Sequence, residues 1–173
     1  MFVTGWAALL ALAGAVVVGA VVPSALGVLA VTGVVVALAV TDVALAGPVR
    51  TLRLRYSGDD SVRLGETARI ALHVVNPGRR VRGTVRTAWP PSAGVIVDRA
   101  TIDVGRGEQR RIEFTLQPTR RGDPLAERVA VRSIGPMRLA GRQGSHQVPW
   151  RIRVLPPFNS RRHLPSRLAR LRE

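Results

Sequence analysis

Three histidines are the first side chains to weigh for chemistry, because the chain has no cysteine and so no thiolate nucleophile or zinc–thiolate site. His73, His146 and His163 lie far apart in sequence, and none has metal-ligand spacing. His73 falls on the expected solvent face of a strand. Ser145-His146 lacks the strand–turn–helix setting of a nucleophile elbow. The acids are dispersed. Asp59, Asp60 and Glu66 share the segment YSGDDSVRLGE, which could hold a cation weakly but reads first as a solvated turn. GRGEQR at 105–110 has the glycines of a phosphate loop, but RRIEFTL after it alternates like a strand, so a hairpin turn is expected. RGD at 121–123 is read as a chance tripeptide. No nucleophile, base and oxyanion partner occur together. The expectation is a non-enzymatic protein with no catalytic, cofactor or metal site.

The charge is unevenly placed. Residues 1–49 carry a single charge, Asp42, whereas residues 50–173 carry all 26 basic residues and ten of the eleven acidic ones, a balance of +16. Such a split describes a membrane part and a soluble part, and excludes a single soluble globule. Every basic side chain is arginine. That suits bidentate phosphate recognition, and it also suits a GC-rich coding bias, which the excess of Ala, Val and Gly favours. Aromatic residues make up 4% of the chain, too few to interleave with the arginines as single-stranded nucleic acid requires. Attraction to an anionic leaflet is the simpler use of the charge, and nucleic acid is not expected. The absence of cysteine leans toward a reducing compartment.

Met1 to Thr41 contains no ionisable side chain. As one helix this run would reach roughly 60 Å, against a bilayer core of about 30 Å. Within it, GAVVPSALGV (19–28) places a proline that cannot continue the ladder, then a serine suited to cap a new helix. Two spans are therefore expected, about 5–22 and 25–46, forming a transmembrane hairpin over 1–47. A cleaved signal peptide is the weaker alternative, because the basic n-region is missing. Arg50, Arg53 and Arg55 follow the second span, so the positive-inside rule puts the N-terminus and the soluble part in the cytoplasm, at the inner membrane. Gly47-Pro48 is expected to end the second helix. Small residues recur at Ala11, Ala15 and Gly19, and at Gly33, Ala37 and Thr41. These ridges would pack the hairpin on itself or, as a second use, pair two copies of the chain. Asp42, about one turn from the helix end, is expected to reach the headgroups or to meet Arg50 or Arg53.

From residue 48 alternation replaces the helical period. RIALHVV directs Ile70, Leu72 and Val74 to one face; RRIEFTLQ does so with Ile112, Phe114 and Leu116, ERVAVRS with Val129 and Val131, and QVPWRIRVL with Val148, Trp150, Ile152 and Val154. Turn chemistry lies between the runs: NPGR, PPSAG, GRGE, RRGDP and GP at 135–136. Seven or eight short strands at this spacing predict an immunoglobulin-like antiparallel β-sandwich over 48–156. Residues 157–173 form a basic tail in which Ser166 would cap a helix that has barely begun when the chain stops.

The order of VRLGETARIALHVVN, WPPSAGV, LQPTRRGD, VAVRSIGPMRLAGRQ and IRVLPPF behind a charge-poor hairpin resembles the N-terminal half of the domain-of-unknown-function 58 family, bacterial membrane proteins encoded beside MoxR-type AAA+ ATPases. RRG at 120–122 and GPMRL at 135–139 carry the resemblance most specifically, with RLGE at 63–66 in support. The resemblance implies an anchor and a spacer. The family's von Willebrand factor A-like part and its Arg-Tyr-Gly-Asp-Trp-type block have no counterpart here, so no metal or ATPase-contacting residue carries over to this sequence. The partners this implies are the lipid bilayer and, through the missing part, a MoxR-type ATPase.

Overall fold

A computed structural model of the chain describes residues 1–21 and 24–157. The expected turn at Pro23, and the tail with His163 and Ser166, lie outside the described residues. A two-residue strand, β1 (Phe2–Val3), precedes two helices, α1 (Gly5–Val21) and α2 (Ala25–Leu45). Ser24 caps α2 as expected, its Oγ accepting from the Gly27 amide at 3.1 Å. The stretch Ala25–Thr51, α2 with the short 3-10 turn after it, is long and apolar enough to cross a membrane, with a mean hydropathy of 2.4. α1 is shorter and carries no charge, whereas α2 carries Asp42.

The two helices pack through faces other than the expected ridges. Ala11, Ala15 and Gly19 are exposed, as are Gly33, Ala37 and Thr41. The covered positions are Ala7, Gly14 and Val18 on α1, and Gly27, Val31, Val35 and Leu38 on α2. Gly14 sets the approach: a Cβ there would overlap Cγ1 of Val31. A chain this rich in small residues offers several ridges, and the one used is that which continues into Asp42.

The rest is a two-layer β-sandwich. The strands are β2 (Arg53–Gly58), β3 (Ser61–Arg63), β4 (Ala68–Val75), β5 (Val81–Thr87), β6 (Arg99–Val104), β7 (Gln109–Leu116), β8 (Leu125–Ile134), β9 (Ala140–Arg151) and β10 (Arg153–Leu155). One sheet has the order β1-β9-β8-β5-β6 and the other β2-β4-β7, with every ladder antiparallel; a small parallel pair, β10-β3, closes one end. The alternating residues meet between the sheets. Ile70, Leu72, Val74, Phe114, Leu116, Val129, Val131, Ile152 and Val154 share one buried cluster with Val81, Val85 and Val104. Five strands were not singled out from sequence: β1, β2, β3, β5 and β6. In β5, VRGTVRT, Gly83 and Thr87 take two of the four core-facing positions; a Cβ at Gly83 would overlap the Arg132 carbonyl of β8.

Tyr56 lies in this core at 2% exposure, edge-on to Trp89 with ring centroids 6.3 Å apart. Among the described residues neither its hydroxyl nor the Trp89 indole N–H has a hydrogen-bond partner. Burial pushes the phenol well above its ordinary range. A buried hydroxyl without a partner costs free energy, so Tyr56→Phe should leave the thermal midpoint unchanged or raise it slightly. A clear drop in a thermal melt would show that the hydroxyl has a partner in solution.

The strand ends define two poles. Arg53, Val75, Val81, Val104, Gln109, Ile134 and Ala140 lie at the pole that carries the helices. Gly58, Thr87, Leu125 and Arg151 lie at the other. β9 alone has 12 residues, roughly 40 Å of strand.

Candidate functional site at the seam between helix and sandwich

The last turn of α2 must find partners for its free carbonyls, and the sandwich supplies them. The Ala44 carbonyl accepts from a terminal nitrogen of Arg79 at 2.8 Å, and the Val43 carbonyl from Nε of Arg142 at 3.0 Å. Two guanidinium groups at a helix C-terminus also suit the negative end of its dipole. The backbone N–H of Ala46 closes the helix onto the Asp42 carbonyl.

Asp42 is the centre of the seam. It is fully buried, and both carboxyl oxygens are used: Oδ1 accepts from the Met137 amide at 2.8 Å, and Oδ2 from the Leu139 and Ala140 amides at 2.8 and 2.9 Å. The Met137 and Leu139 amides belong to the turn joining β8 to β9, inside GPMRL, and Ala140 opens β9. The turn is shaped for the purpose. Arg138 has φ +59°, a left-handed conformation costing about 1–2 kcal/mol for a side chain with a Cβ, and the turn directs the Met137 and Leu139 amides at one carboxyl group. Gly135 leaves the room: a Cβ there would overlap the Asp42 side chain. This corrects the expectation that Asp42 reaches headgroups or meets Arg50 or Arg53. A carboxyl group satisfied by three backbone amides has no need of an arginine, and the β8–β9 turn offers them about one turn before the helix end.

The N-terminus joins the same seam. Phe2 and Val3 pair with Gly141 and Ala140, the Thr4 amide donates to the Leu139 carbonyl at 2.9 Å, and the guanidinium of Arg132 lies 5.5 Å from the centre of the Phe2 ring. His146 bonds the Val49 carbonyl through Nε2 at 2.9 Å, just past α2. The second helix ends just before Gly47-Pro48, as expected. α2 ends at Leu45, Ala46 is extended, and Gly47 is glycine because a Cβ would overlap the Arg80 carbonyl. Arg80 in turn holds Asp103 with two bonds of 2.7 and 2.6 Å, which keeps the Asp103 carboxyl below its usual range.

Asn76 fastens the two sheet-to-sheet crossings at this pole. It is fully buried; its Nδ2 donates to the Arg79 and Val104 carbonyls, both at 2.9 Å, and its Oδ1 accepts from Gly78 at 3.0 Å. Its backbone bonds Glu108 and Gly107 across the second crossing. NPGR and GRGE, read as separate turns, are thus one structure.

The remaining candidates stay apart. Asp59 caps the Arg69 amide at 2.8 Å, and Asp60 accepts from Ser61. Among the described residues no group of three or more His, Asp or Glu could hold a metal. His73 does contact a serine that sequence reading missed: Ser57 Oγ lies 2.7 Å from Nε2, and the Gln109 side-chain nitrogen lies 3.2 Å from Nδ1. The pairing registers of β2, β4 and β7 bring these residues together, a signal that no spacing along one strand contains. Whether each ring nitrogen donates or accepts in these two contacts follows from the tautomer of His73. Arg53, Arg55, Ser57, His73 and Gln109 line a shallow groove of about 440 Å³ over this sheet face.

No protein-family model matches the sequence, and no curated protein does. Solved structures with a similar β part include the CARDB domain of a Pyrococcus furiosus protein, crystallised with di-metal ions (20% identity, TM-score 0.45, covering 61% of this chain and 94% of that one). Others are Escherichia coli alpha-2-macroglobulin from domain MG7 to the C-terminus (16%, 0.45, 65% and 17%) and a Listeria innocua beta-glucosidase (13%, 0.40, 60% and 16%). At this level of likeness no substrate, metal or partner carries across to this chain.

Proposed function

We propose that this chain is a non-enzymatic, membrane-anchored scaffold: α1 and α2 form a two-span hairpin, and the immunoglobulin-like sandwich stands on the cytoplasmic face as a spacer. The Asp42 seam is the observation that carries the reading. A flexible tether would need no buried carboxyl group; three backbone bonds at the helix end hold the sandwich at a set attitude to its anchor. Exposed apolar side chains support the membrane reading, since Leu9, Leu12, Val16, Leu26, Leu29 and Val40 all lie on the helices. α2 has 21 residues, about 31 Å, the thickness of a bilayer core. Trp6, 64% exposed at the start of α1, sits where an indole favours the interface. Arg50, Arg79, Arg138 and Arg142 gather at the same level, on the side the positive-inside rule assigns to the cytoplasm. The chain leaves the sandwich after β10, at the pole away from the helices. A spacer needs that arrangement to present whatever follows to a partner, and the family resemblance makes that partner a MoxR-type AAA+ ATPase.

An antibody against residues 50–156, used to capture the protein from native membranes, tests this reading. The expected result is a product well above the 18.6 kDa of this sequence, accompanied by an AAA+ ATPase. A product of this size with no ATPase overturns the spacer role. It would favour the second reading, a basic adaptor for anionic lipid or nucleic acid, whose binding must weaken steeply with salt.

A further inference from the structure

An apolar groove of about 490 Å³ opens beside the seam. Val36, Ala39, Val40 and Val43 of α2 form one wall, and Phe2 with β9 forms the other. Phe2 is fixed by its pairing to Gly141, where a Cβ would press on its ring. Arg142 lines the same groove, half-buried. Its Nε is held by the Val43 carbonyl, and among the described residues its two terminal nitrogens make no hydrogen bond or ion pair.

We infer that this groove seats one anionic phospholipid of the leaflet facing the sandwich, with an acyl chain along α2 and the phosphate on Arg142. The inference rests on the membrane reading above. Three features select this occupant. The groove runs onto Val36 and Val40, which are exposed on the spanning helix, so it opens to the hydrocarbon without a break. Its polar end is a guanidinium, which binds phosphate in bidentate fashion, held by a helix carbonyl that fixes its direction. Arg50, Arg79 and Arg138 surround the seam, a charge that complements an anionic headgroup and repels a second copy of this equally basic end. A groove for a neutral chain alone would need no oriented cation.

The test uses the full chain in vesicles of phosphatidylcholine with a minor fraction of phosphatidylglycerol, followed by native mass spectrometry. One retained phosphatidylglycerol per chain is expected. Arg142→Gln should lower its retention about tenfold, as loss of a hydrogen bond to a charged group does. Ala39→Phe, which fills the groove and leaves the charge intact, should lower it similarly. Arg142→Lys, which keeps the charge but neither the fork nor the bond to Val43, should retain more than Arg142→Gln and less than the parent, which separates lost charge from a loosened helix end. Arg121→Gln, at the far pole, should change nothing. Equal retention of both lipids, full retention by Ala39→Phe, or a lipid-free dimer overturns the proposal, as does glycerol phosphate binding equally well alone. Failure of the chain to float with vesicles would instead remove the membrane reading itself.

Discussion

Replacing Asp42 with alanine should free the β8–β9 turn from α2 at a cost of about 3–5 kcal/mol. Three backbone amides lose their acceptor at once, and Leu139 and Ala140 are themselves buried, so water replaces the lost bonds poorly. The left-handed Arg138 then loses what offsets its strain. Asp42→Asn should cost roughly half as much. Its oxygen can serve the Leu139 and Ala140 amides, but its amide nitrogen then faces the Met137 N–H, donor against donor. Hydrogen exchange on the full chain in detergent reads this directly. Protection of the Met137–Gly141 amides should fall in the order wild type, Asp42→Asn, Asp42→Ala, while the β4–β7 ladder stays protected. Unchanged exchange at Leu139 in the alanine variant would mean that the seam is not what holds the sandwich to the anchor.

Asn76→Ala should lower the stability of the sandwich by about 2–4 kcal/mol. The lost side chain makes three hydrogen bonds in a site with no exposure, and the Arg79 and Val104 carbonyls are left facing a void. For a domain of about this size that corresponds to a fall of roughly 10 °C or more in the thermal midpoint. Asn76→Asp should be at least as damaging, because it sets a carboxyl oxygen against two carbonyls. A melt within about 2 °C of the parent would show that the two crossings hold each other without this bracket. The consequence reaches the helix: Arg79, whose carbonyl Asn76 fixes, is also the residue that caps Ala44.

The two predictions share a reason that marks where sequence reading succeeds and where it stops. Ile70, Leu72 and Val74 were legible because strand alternation is local: each residue's face follows from its neighbours two positions away. The helices were legible because a 41-residue run without charge leaves few other structures open to it. β5 and β6 were not: Gly83 and Thr87 occupy core-facing positions of β5, β6 has only six residues, and those strands are fixed by their partners instead. Asp42 was visible as an anomaly, the one charge in an apolar run, but its partners lie 95 to 98 residues away and are backbone amides, which carry no sequence signature. The composition of GPMRL held a hint: a glycine and a proline mark a turn, and the turn turned out to be a socket. The Ser57–His73 contact depended likewise on register, which a list of strands does not contain. The packed helix faces were missed for the opposite reason. Small residues are so common in α1 and α2 that their spacing does not discriminate, and only Gly14 against Val31 marks the true approach.

The account stands on the sandwich being held at one face of a membrane by two crossing helices. The chain contains no cysteine, so single cysteines report topology without background. Ala25→Cys places one at the start of α2, and Thr119→Cys places one at the far pole of the sandwich. With intact cells and a membrane-impermeant maleimide, the account predicts labelling at position 25 and none at 119 until the cells are opened. Labelling at 119 from outside, or at neither position before lysis with the protein in the soluble fraction, would contradict it.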